Sequence, residues 1–236
     1  MSEIVLKNQK LWFGGYDLSC QMNALGLDYG AEMQDNTTFC DDTRSNFGGL
    51  KTVAMQCEGF FDGDPYDEAL FSSIGESDMP ISFGSSGDEG DPAYTFKSIL
   101  GEYSPGGTVG EILAFSVGGS ATGNLVRGTL MVNDTKIVTG DGTARQLGAV
   151  AAGKRVYASL HVISASETDT LDVVVTSDDN AGMTSATTRL TFDQQSAIGS
   201  DWQELEGPVT DDYWQVSWAI GGVDPSFQFV VIVGII

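Results

Sequence analysis

Residues 31–62 read AEMQDNTTFCDDTRSNFGGLKTVAMQCEGFFD, and this stretch decides how the rest of the chain is interpreted. It opens with acidic and polar residues, turns through Gly48 and Gly49, and runs into an apolar segment. Glycine supplies the backbone freedom of such a turn. We expect a long irregular arm followed by a strand. Since the arm has little to bury against its own domain, its natural partner is another chain; a solvated surface loop is the alternative.

The strand predicted after the arm, residues 50–61, shows a regular alternation. Val53, Met55 and Cys57 share one phase, while polar residues such as Gln56 and Glu58 occupy the other. Because successive side chains of a strand point to opposite faces, this pattern predicts one buried face and one wet face.

One helix is predicted shortly after this strand. Asp64 can cap a helix start, and Pro65 is tolerated at the first helical position. The segment 66–74 places Ala69 and Leu70 on one side, and the glycine that follows it is the expected terminator.

The remaining periodic segments are all predicted to be strands. In the second half they are short and separated by turn residues, which is typical of a two-sheet sandwich of jelly-roll or immunoglobulin-like type. Residues 118–124, GGSATGN, are predicted to be a small-residue linker, which gives two domains, 1–124 and 125–236. The predicted strands are 4–13, 23–29, 80–83, 94–103, 111–117, 127–132, 155–164, 170–177, 187–192, 213–220 and 227–235.

The net charge of the chain is strongly negative. Its 236 residues include 33 acidic and 11 basic residues, which gives a formal net charge of -22. Residues 1–124 hold 19 of the acidic and 5 of the basic residues, so the first part is the more acidic. Binding to phosphates needs clustered Lys and Arg, whereas here Lys154 and Arg155 are the only adjacent pair. The composition argues against attractive nucleic-acid binding, although an acidic surface can act on DNA by repelling it.

The cysteines and the chain ends indicate the compartment. Cys20, Cys40 and Cys57 are odd in number and lack C-x-x-C spacing, which argues against a disulfide framework and a zinc site. Free thiols in a reducing compartment are the simplest interpretation. The first residues lack the apolar run of a signal peptide, and the C-terminal FQFVVIVGII has about half of the ~20 residues of a membrane-spanning helix. We expect no membrane segment.

Two features that could carry chemistry are interpreted structurally. His161 is the only histidine, and it holds the outward phase of a predicted strand, opposite to Leu160 and Val162. No G-x-S-x-G motif accompanies it. Residues 148–155, GAVAAGKR, match the start of a phosphate-binding loop, but Arg155 replaces the Ser or Thr and a strand follows instead of a helix. We expect a turn there and no catalytic site.

Acidic clusters and tryptophans are interpreted in the same way. The clusters at 88–91 and 178–180 offer oxygen ligands to calcium, but neither fits the spacing of the helical calcium motif, so solvated loops are expected. Trp214 and Trp218 could stack on a sugar, yet they share a phase with Val216, which favours core packing. We expect no metal and no cofactor.

The order of several short motifs resembles one family. LDYGAEMQD leads into DDTR at 41–44, GLK at 49–51 and EG at 58–59. This succession is similar to that of the major tail tube proteins of long-tailed bacteriophages. The helix DEALFSSI, the strand PISF and the segment YTFKSILGEYSPGGTVGEILAFSVGGSATG follow in the matching order. The resemblance covers about the first 120 residues.

The resemblance implies a β-sandwich or partial barrel with one short helix, whose copies form stacked hexameric rings with a continuous sheet around a channel. Closing a ring removes the sheet edges that an isolated domain would expose. It also implies an acidic lumen through which DNA slides without specific binding. The arm would contact a neighbouring subunit or ring through Glu32, Asp35, Thr38, Asp42, Arg44, Gly49 and Leu50.

We therefore expect a structural virion protein without enzymatic activity, the major subunit of a phage tail tube. By the resemblance, it would be assembled in the host cytoplasm and take part in DNA ejection. Its partners would be copies of itself and the tail terminator, tape-measure and distal tail proteins. The second domain departs from a minimal tube subunit and is expected to be an outward-facing decoration. A capsid decoration protein, or a glycan-binding tail protein acting through the C-terminal sandwich, is the alternative.

Overall fold

The computed structural model describes residues 8–61, 65–166 and 168–236. Within these residues the chain is mainly β-structure with one helix, α1 (Tyr66–Ser72), which confirms the predicted fold class. The strands are β1 (Lys10–Phe13), β2 (Tyr16–Asp17), β3 (Met22–Asp35), β4 (Asn46–Phe60), β5 (Met79–Gly84), β6 (Pro92–Gly106), β7 (Ala114–Ala121), β8 (Val126–Lys136), β9 (Gly140–Asp141), β10 (Arg145–Gln146), β11 (Arg155–Ala165), β12 (Thr170–Asp178), β13 (Thr187–Thr191), β14 (Gly199–Glu206), β15 (Tyr213–Gly221) and β16 (Phe227–Ile235).

The chain divides into two compact units, each built from segments that are separated in the sequence. The first, which we call the hairpin unit, comprises residues 21–78 and 98–125. The second, which we call the sandwich unit, comprises residues 8–20, 79–97 and 126–236.

This division differs from the single boundary at the linker that the sequence predicts. β1, β5 and the first half of β6 belong to the sheet that the C-terminal strands build. Trp12 and Ala93 pack in one cluster with Leu130, Val230 and Ile232. Because this cluster joins distant segments, the C-terminal strands share their fold with N-terminal ones.

The sandwich unit contains two packed sheets, as predicted for the second half of the chain. One runs in the order β14-β11-β16-β8-β6-β5-β1-β2, and the other runs β10-β15-β12-β13 with β9 paired to β15. Apolar side chains from both sheets fill the main core, among them Leu160, Val175, Trp214, Val216 and Phe229.

The other face of the larger sheet is covered as well. β2 and β5 contact β11, so the N-terminal strands shield a face that would otherwise be wet. β11 and β16 are consequently buried on both faces and read as nearly continuous apolar runs. His161 lies on this second face and is fully buried. Its predicted outward position is therefore wrong, because alternation alone does not show that a second layer covers the strand.

The hairpin unit is a four-stranded antiparallel sheet in the order β3-β4-β7-β6, with α1 beside it. β4 pairs with β3 along most of its length, and with β7 only over its last seven residues, 54–60. Residues 118–121, predicted to be part of a linker, instead end β7 and pair with β4 and β6. Their small side chains hid the strand, because the pairing comes from neighbours that composition does not reveal.

The helix is shorter than predicted. It ends at Ser72 rather than at residue 74, while Ala69 and Leu70 are buried as expected. Gly75 has a φ of 80°, the left-handed conformation that suits a residue beyond a helix end. Asp64, the predicted cap, lies outside the described residues.

Candidate assembly surface

β3 and β4 form a long antiparallel hairpin where the sequence predicts an irregular arm. The pairing continues outward to Asp35, which lies opposite Asn46, and only residues 36–45 form a loop. All residues from 28 to 52 are exposed in the single chain. Since neither face of this part is buried, no apolar alternation marks it as a strand, and the prediction of irregular structure is wrong.

The base of the hairpin is fixed inside the hairpin unit. Val53, Met55 and Cys57 are buried, as the alternation predicts. Burial raises the pKa of the Cys57 thiol to about 12, so this cysteine stays protonated. A β-carbon at Gly59 would lie 2.3 Å from the carbonyl oxygen of Gln21, so only glycine fits at the end of this strand.

Two aspartates shape the loop at the hairpin tip. Asp35 accepts a hydrogen bond from the backbone N–H of Thr37 at 2.8 Å. Asp41 accepts from the backbone N–H of Thr38 at 2.7 Å and from its hydroxyl at 2.9 Å. The pKa of Asp35 is lowered mainly by its hydrogen bond from the Thr37 hydroxyl. The pKa of Asp41 is lowered mainly by its hydrogen bond from the backbone N–H of Thr38. Both carboxylates are therefore charged at neutral pH and hold the loop.

The exposed part of the hairpin carries large apolar side chains. Tyr29, Met33, Phe39, Phe47 and Leu50 are each more than half exposed, and Phe39 is fully exposed. Met33 pairs with Gly48 and Phe47 pairs with Gln34, so Met33 and Phe47 point to opposite faces of the hairpin. Large apolar side chains are therefore exposed on both faces, which is typical of a segment that another chain covers. Of the five, only Leu50 is among the contact residues predicted from the sequence. The sequence did contain a signal for the other four, because large apolar residues lie among acidic ones in this segment without following the period of a strand or a helix.

The hairpin also carries the only basic residues of its unit. Residues 21–78 and 98–125 contain 14 acidic residues, whereas Arg44 and Lys51 are the two basic ones. The Lys51 ammonium lies 5.8 Å from the centre of the Tyr29 ring. Arg44 is exposed near the tip, and the described part of the chain gives it neither an ion-pair nor a hydrogen-bond partner.

All seven contact residues predicted from the sequence lie on this hairpin and are exposed. Two of them, Asp35 and Thr38, also hold the loop. Glu32 faces Gly49 so closely that a β-carbon at Gly49 would lie 3.1 Å from that of Glu32. Contact with another subunit stays a prediction for the whole set, which is Glu32, Asp35, Thr38, Asp42, Arg44, Gly49 and Leu50.

Within residues 21–78 and 98–125, one face of the four-stranded sheet is acidic and has no basic residue. The strand register places Gln56 between Gly26 and Gly118, and residues paired in this way point to the same face. Most side chains on this face are small or polar and three are carboxylates, while Phe60 and Ile99 are its large apolar residues. We call it the base-free face, and it consists of Ala24, Gly26, Asp28, Ala54, Gln56, Glu58, Phe60, Ile99, Glu102, Ser104, Ala114, Ser116, Gly118 and Ser120.

The same sheet has two edges that lack a strand partner. Among the described pairings, β3 pairs only with β4, and β6 beyond Leu100 pairs only with β7. An open edge presents a row of backbone N–H and C=O groups that can pair with another chain. The hairpin unit therefore offers main-chain pairing as well as apolar contact.

His161 belongs to a buried polar cluster in the sandwich unit. Its Nδ1 donates to the carbonyl oxygen of Gly14 at 2.7 Å, which leaves Nε2, 2.7 Å from the Ser82 hydroxyl, to accept. Burial lowers the pKa of this histidine to about 4, so the ring is neutral at physiological pH. These contacts hold strands together and give His161 no acidic partner for nucleophilic catalysis.

The loop-like motif at 148–155 and the tryptophans are structural, as predicted. Arg155 begins β11 and pairs with Glu204 and Glu206 across β14, at 2.7 and 2.8 Å. Both Trp214 and Trp218 are buried, and their indole N–H groups donate to backbone carbonyls at 2.9 Å. Their burial rules out a sugar-stacking surface built on these two rings.

Metal ligands, apolar helices and thiols complete the description of these residues. No group of three or more His, Cys, Asp or Glu side chains in the part of the chain that the structure describes is placed to hold a metal ion. The one helix in the described residues, α1, is not long and apolar enough to cross a membrane. Cys20 and Cys40 are exposed and Cys57 is buried, all three as free thiols.

Solved structures with a similar fold come from viral and virus-like tails. A chain in the virion of a native gene transfer agent particle is 17% identical with a TM-score of 0.40, and the alignment covers 45% of this chain and 84% of that one. The SPP1 tail tube is 12% identical with a TM-score of 0.44, and the alignment covers 53% and 78%. The SPP1 Dit protein, of the hub adsorption apparatus of phages, is 14% identical with a TM-score of 0.40, and the alignment covers 98% and 100%.

No protein-family model and no curated protein matches the sequence. The structural likenesses concern the fold, and with TM-scores below 0.5 they carry no assignment of function.

Proposed function

We propose that the chain is a structural subunit of a phage-type tail, which assembles with copies of itself into rings that stack around a DNA-conducting channel. The observation that carries the proposal is the exposed β3–β4 hairpin, whose five large apolar side chains are uncovered in the single chain. The succession of sequence motifs supports a tail tube in particular, with six copies to a ring. On this proposal the tail terminator, tape-measure and distal tail proteins bind the ends and the inside of the tube.

Ring closure would use the two open edges of the hairpin unit. The outer edge of β3 in one copy can pair with the outer edge of β6 in the next, since both lack a strand partner in the described chain. A contact between two different surfaces repeats from copy to copy and forms a ring when its rotation closes on the first copy. Closure removes the exposed edges, which would otherwise lead to uncontrolled aggregation.

The base-free face would line the channel. Asp28, Glu58 and Glu102 place three carboxylates on it in each copy, and no Lys or Arg on it can hold a phosphate. DNA carries one negative charge per ~1.7 Å of helix axis, so such a wall repels it and leaves its counterions in place. The small side chains between the carboxylates offer little for bases or sugars to bind.

The glycan-binding alternative depended on Trp214 and Trp218, and their burial removes its support. Mass photometry and negative-stain electron microscopy of the purified chain test the preferred proposal. We expect rings and tubes from the native sequence.

Arg44→Glu should stay folded but fail to assemble, because it places another negative charge in an acidic tip. Arg127→Glu, which changes an exposed arginine of the sandwich unit, is the matched control and should assemble normally. A native protein that stays monomeric would overturn the proposal. An Arg44→Glu variant that assembles like the native chain would overturn the role of the hairpin.

A further inference from the structure

The outer face of the smaller sheet in the sandwich unit holds a groove that runs over β15. Trp214, Val216 and Trp218 of this strand belong to the core, so Ser217 and Ala219 point to the opposite, outer face. Both outward side chains are small, whereas the strands on either side carry longer ones. The groove between them has a volume of about 250 Å³.

Two carboxylates flank this groove. Asp141 in β9 lies opposite Ser217, and Asp172 in β12 lies opposite Ala219, so both point to the outer face. Two strand spacings of ~4.8 Å and an offset of two residues separate their α-carbons by roughly 12 Å. The Gln194 amide donates to both oxygens of Asp172 at 3.0 Å and fixes its orientation. An elongated group with donors on two sides suits a pair of acceptors placed in this way.

The groove has no positive charge of its own. In the part of the chain that the structure describes, no basic residue lines it and neither Asp141 nor Asp172 forms an ion pair. The Lys136 ammonium lies 5.2 Å from the centre of the Trp218 ring, but it pairs with Asp134 at 2.8 Å. Both groove carboxylates are exposed, so a cation of another molecule can reach them.

The floor of the groove is apolar between the two charges. Val174 lies opposite Ser217, and Ala219 lies beside them on the same face. The methylene stem of an arginine packs on such a surface while its head group reaches a carboxylate. The guanidinium is planar, carries five N–H donors and is weakly hydrated, so it suits this pair better than a lysine ammonium. Pockets for drug-sized ligands begin at about 300 Å³, which leaves room here for one side chain.

We infer that this groove is a docking site for an arginine side chain of a partner protein. The methylene groups of the arginine cover Val174 and Ala219, and its guanidinium donates to Asp141 and Asp172. Arginine is enriched at the centres of protein interfaces. The docking site lies in the sandwich unit and uses no residue of the β3–β4 hairpin, so it goes beyond the proposed function and does not depend on tube formation.

Saturation-transfer difference NMR of the full chain tests the site with a capped glycine–arginine–glycine tripeptide. The signal is read on the peptide, so weak binding is detected whether or not the chain assembles. We expect the arginine methylene protons to receive the strongest transfer. The tripeptide with lysine, which has the same charge, should bind more weakly. The tripeptide with citrulline, which has nearly the shape of arginine but no charge, should give no transfer.

Two variants separate the groove from the general acidity of the chain. Asp141→Asn combined with Asp172→Asn should weaken binding of the arginine tripeptide by about three- to tenfold. Ala219→Leu fills the floor without changing the charge and should abolish the transfer. Asp88→Asn combined with Glu76→Gln, which removes the same charge at two exposed acids elsewhere, is the matched control and should bind as the native chain does. Circular-dichroism melting curves verify that each variant is folded.

Two results would overturn the docking site. One is equal transfer to the arginine and lysine tripeptides that neither groove variant changes, because it would mean general attraction to an acidic chain. The other is transfer to methyl glucoside or methyl galactoside, but not to the arginine tripeptide, that Ala219→Leu abolishes. In that case the groove would bind a glycan.

Discussion

His161 joins three separate segments of the sandwich unit through hydrogen bonds. Its ring lies between Gly14, which precedes β2, and Ser82 in β5, while its own backbone lies in β11. Replacing the ring with an apolar side chain would take away the donor to the buried Gly14 carbonyl, at a cost of about 1 to 3 kcal/mol, whereas the Ser82 hydroxyl would keep its hydrogen bond with Thr95. The sequence showed that this histidine was unique but not that it was buried, because the strands covering it come from the other end of the chain.

The same residue predicts a pH dependence. The pKa of His161 is lowered from 6.5 to about 4 in the folded chain, so the unfolded chain takes up the proton first as pH falls. We expect the free energy of unfolding to decrease from pH 6.5 towards pH 4, by about 3 kcal/mol in total. Urea unfolding followed by tryptophan fluorescence, between about pH 7 and pH 5, measures the upper part of this decrease.

His161→Gln should be less stable than the native chain and should lack this slope, because the chain has no other histidine. Ser159→Ala, which changes a neighbouring buried hydroxyl, should keep it. A His161→Gln variant with the native slope would contradict the assignment.

At the level of elements, one part of the β3–β4 hairpin can be predicted from the sequence and the other part cannot. The inner half of β4 is predicted correctly, since Val53, Met55 and Cys57 alternate with polar residues over a buried face. The outer half has no buried face in the single chain, so its apolar residues follow no period. β14 was missed for a similar reason, because most of its residues are half-buried and its partner is a distant strand.

The tip aromatics should matter for assembly and not for folding. Phe39 and Phe47 are exposed, so replacing both with Ser should change the free energy of unfolding by no more than about 0.5 kcal/mol each. Each aromatic can bury roughly 150 to 250 Å² in a contact, so the concentration needed for assembly should rise by at least about tenfold. Sedimentation of assembled protein over a concentration series measures the shift.

Val223→Ser, which changes an exposed apolar residue of the sandwich unit, is the control for this experiment and should leave the threshold unchanged. An unchanged threshold in the double Phe variant would show that the tip is not covered in the assembly.

At the level of the whole molecule, the main surprise is that the second sandwich is not an appended domain. The mainly-β fold class of each half of the chain was predictable from the lengths of its strands and from their apolar alternation. The connectivity was not, because a local pattern cannot show that Trp12 and Ala93 will pack against Leu130 and Val230. The predicted linker lies at a real division, yet the chain crosses between the units several times.

This interleaving predicts that the chain cannot be cut at the linker. Fragments 1–124 and 125–236, expressed separately, should each lack a cooperative thermal transition by circular dichroism, because each loses sheet partners of the sandwich unit. The intact chain, measured in parallel, should show one. A cooperative transition in either fragment would mean that the units fold from contiguous sequence after all.

The most direct test of the tail-subunit proposal is a cryo-electron microscopy reconstruction of the assembled native chain. We predict stacked rings around an open channel, with β3, β4, β7 and β6 forming its wall and Asp28, Glu58 and Glu102 facing inward. An assembly without a channel, or one whose channel is lined by the sandwich unit, would contradict the account.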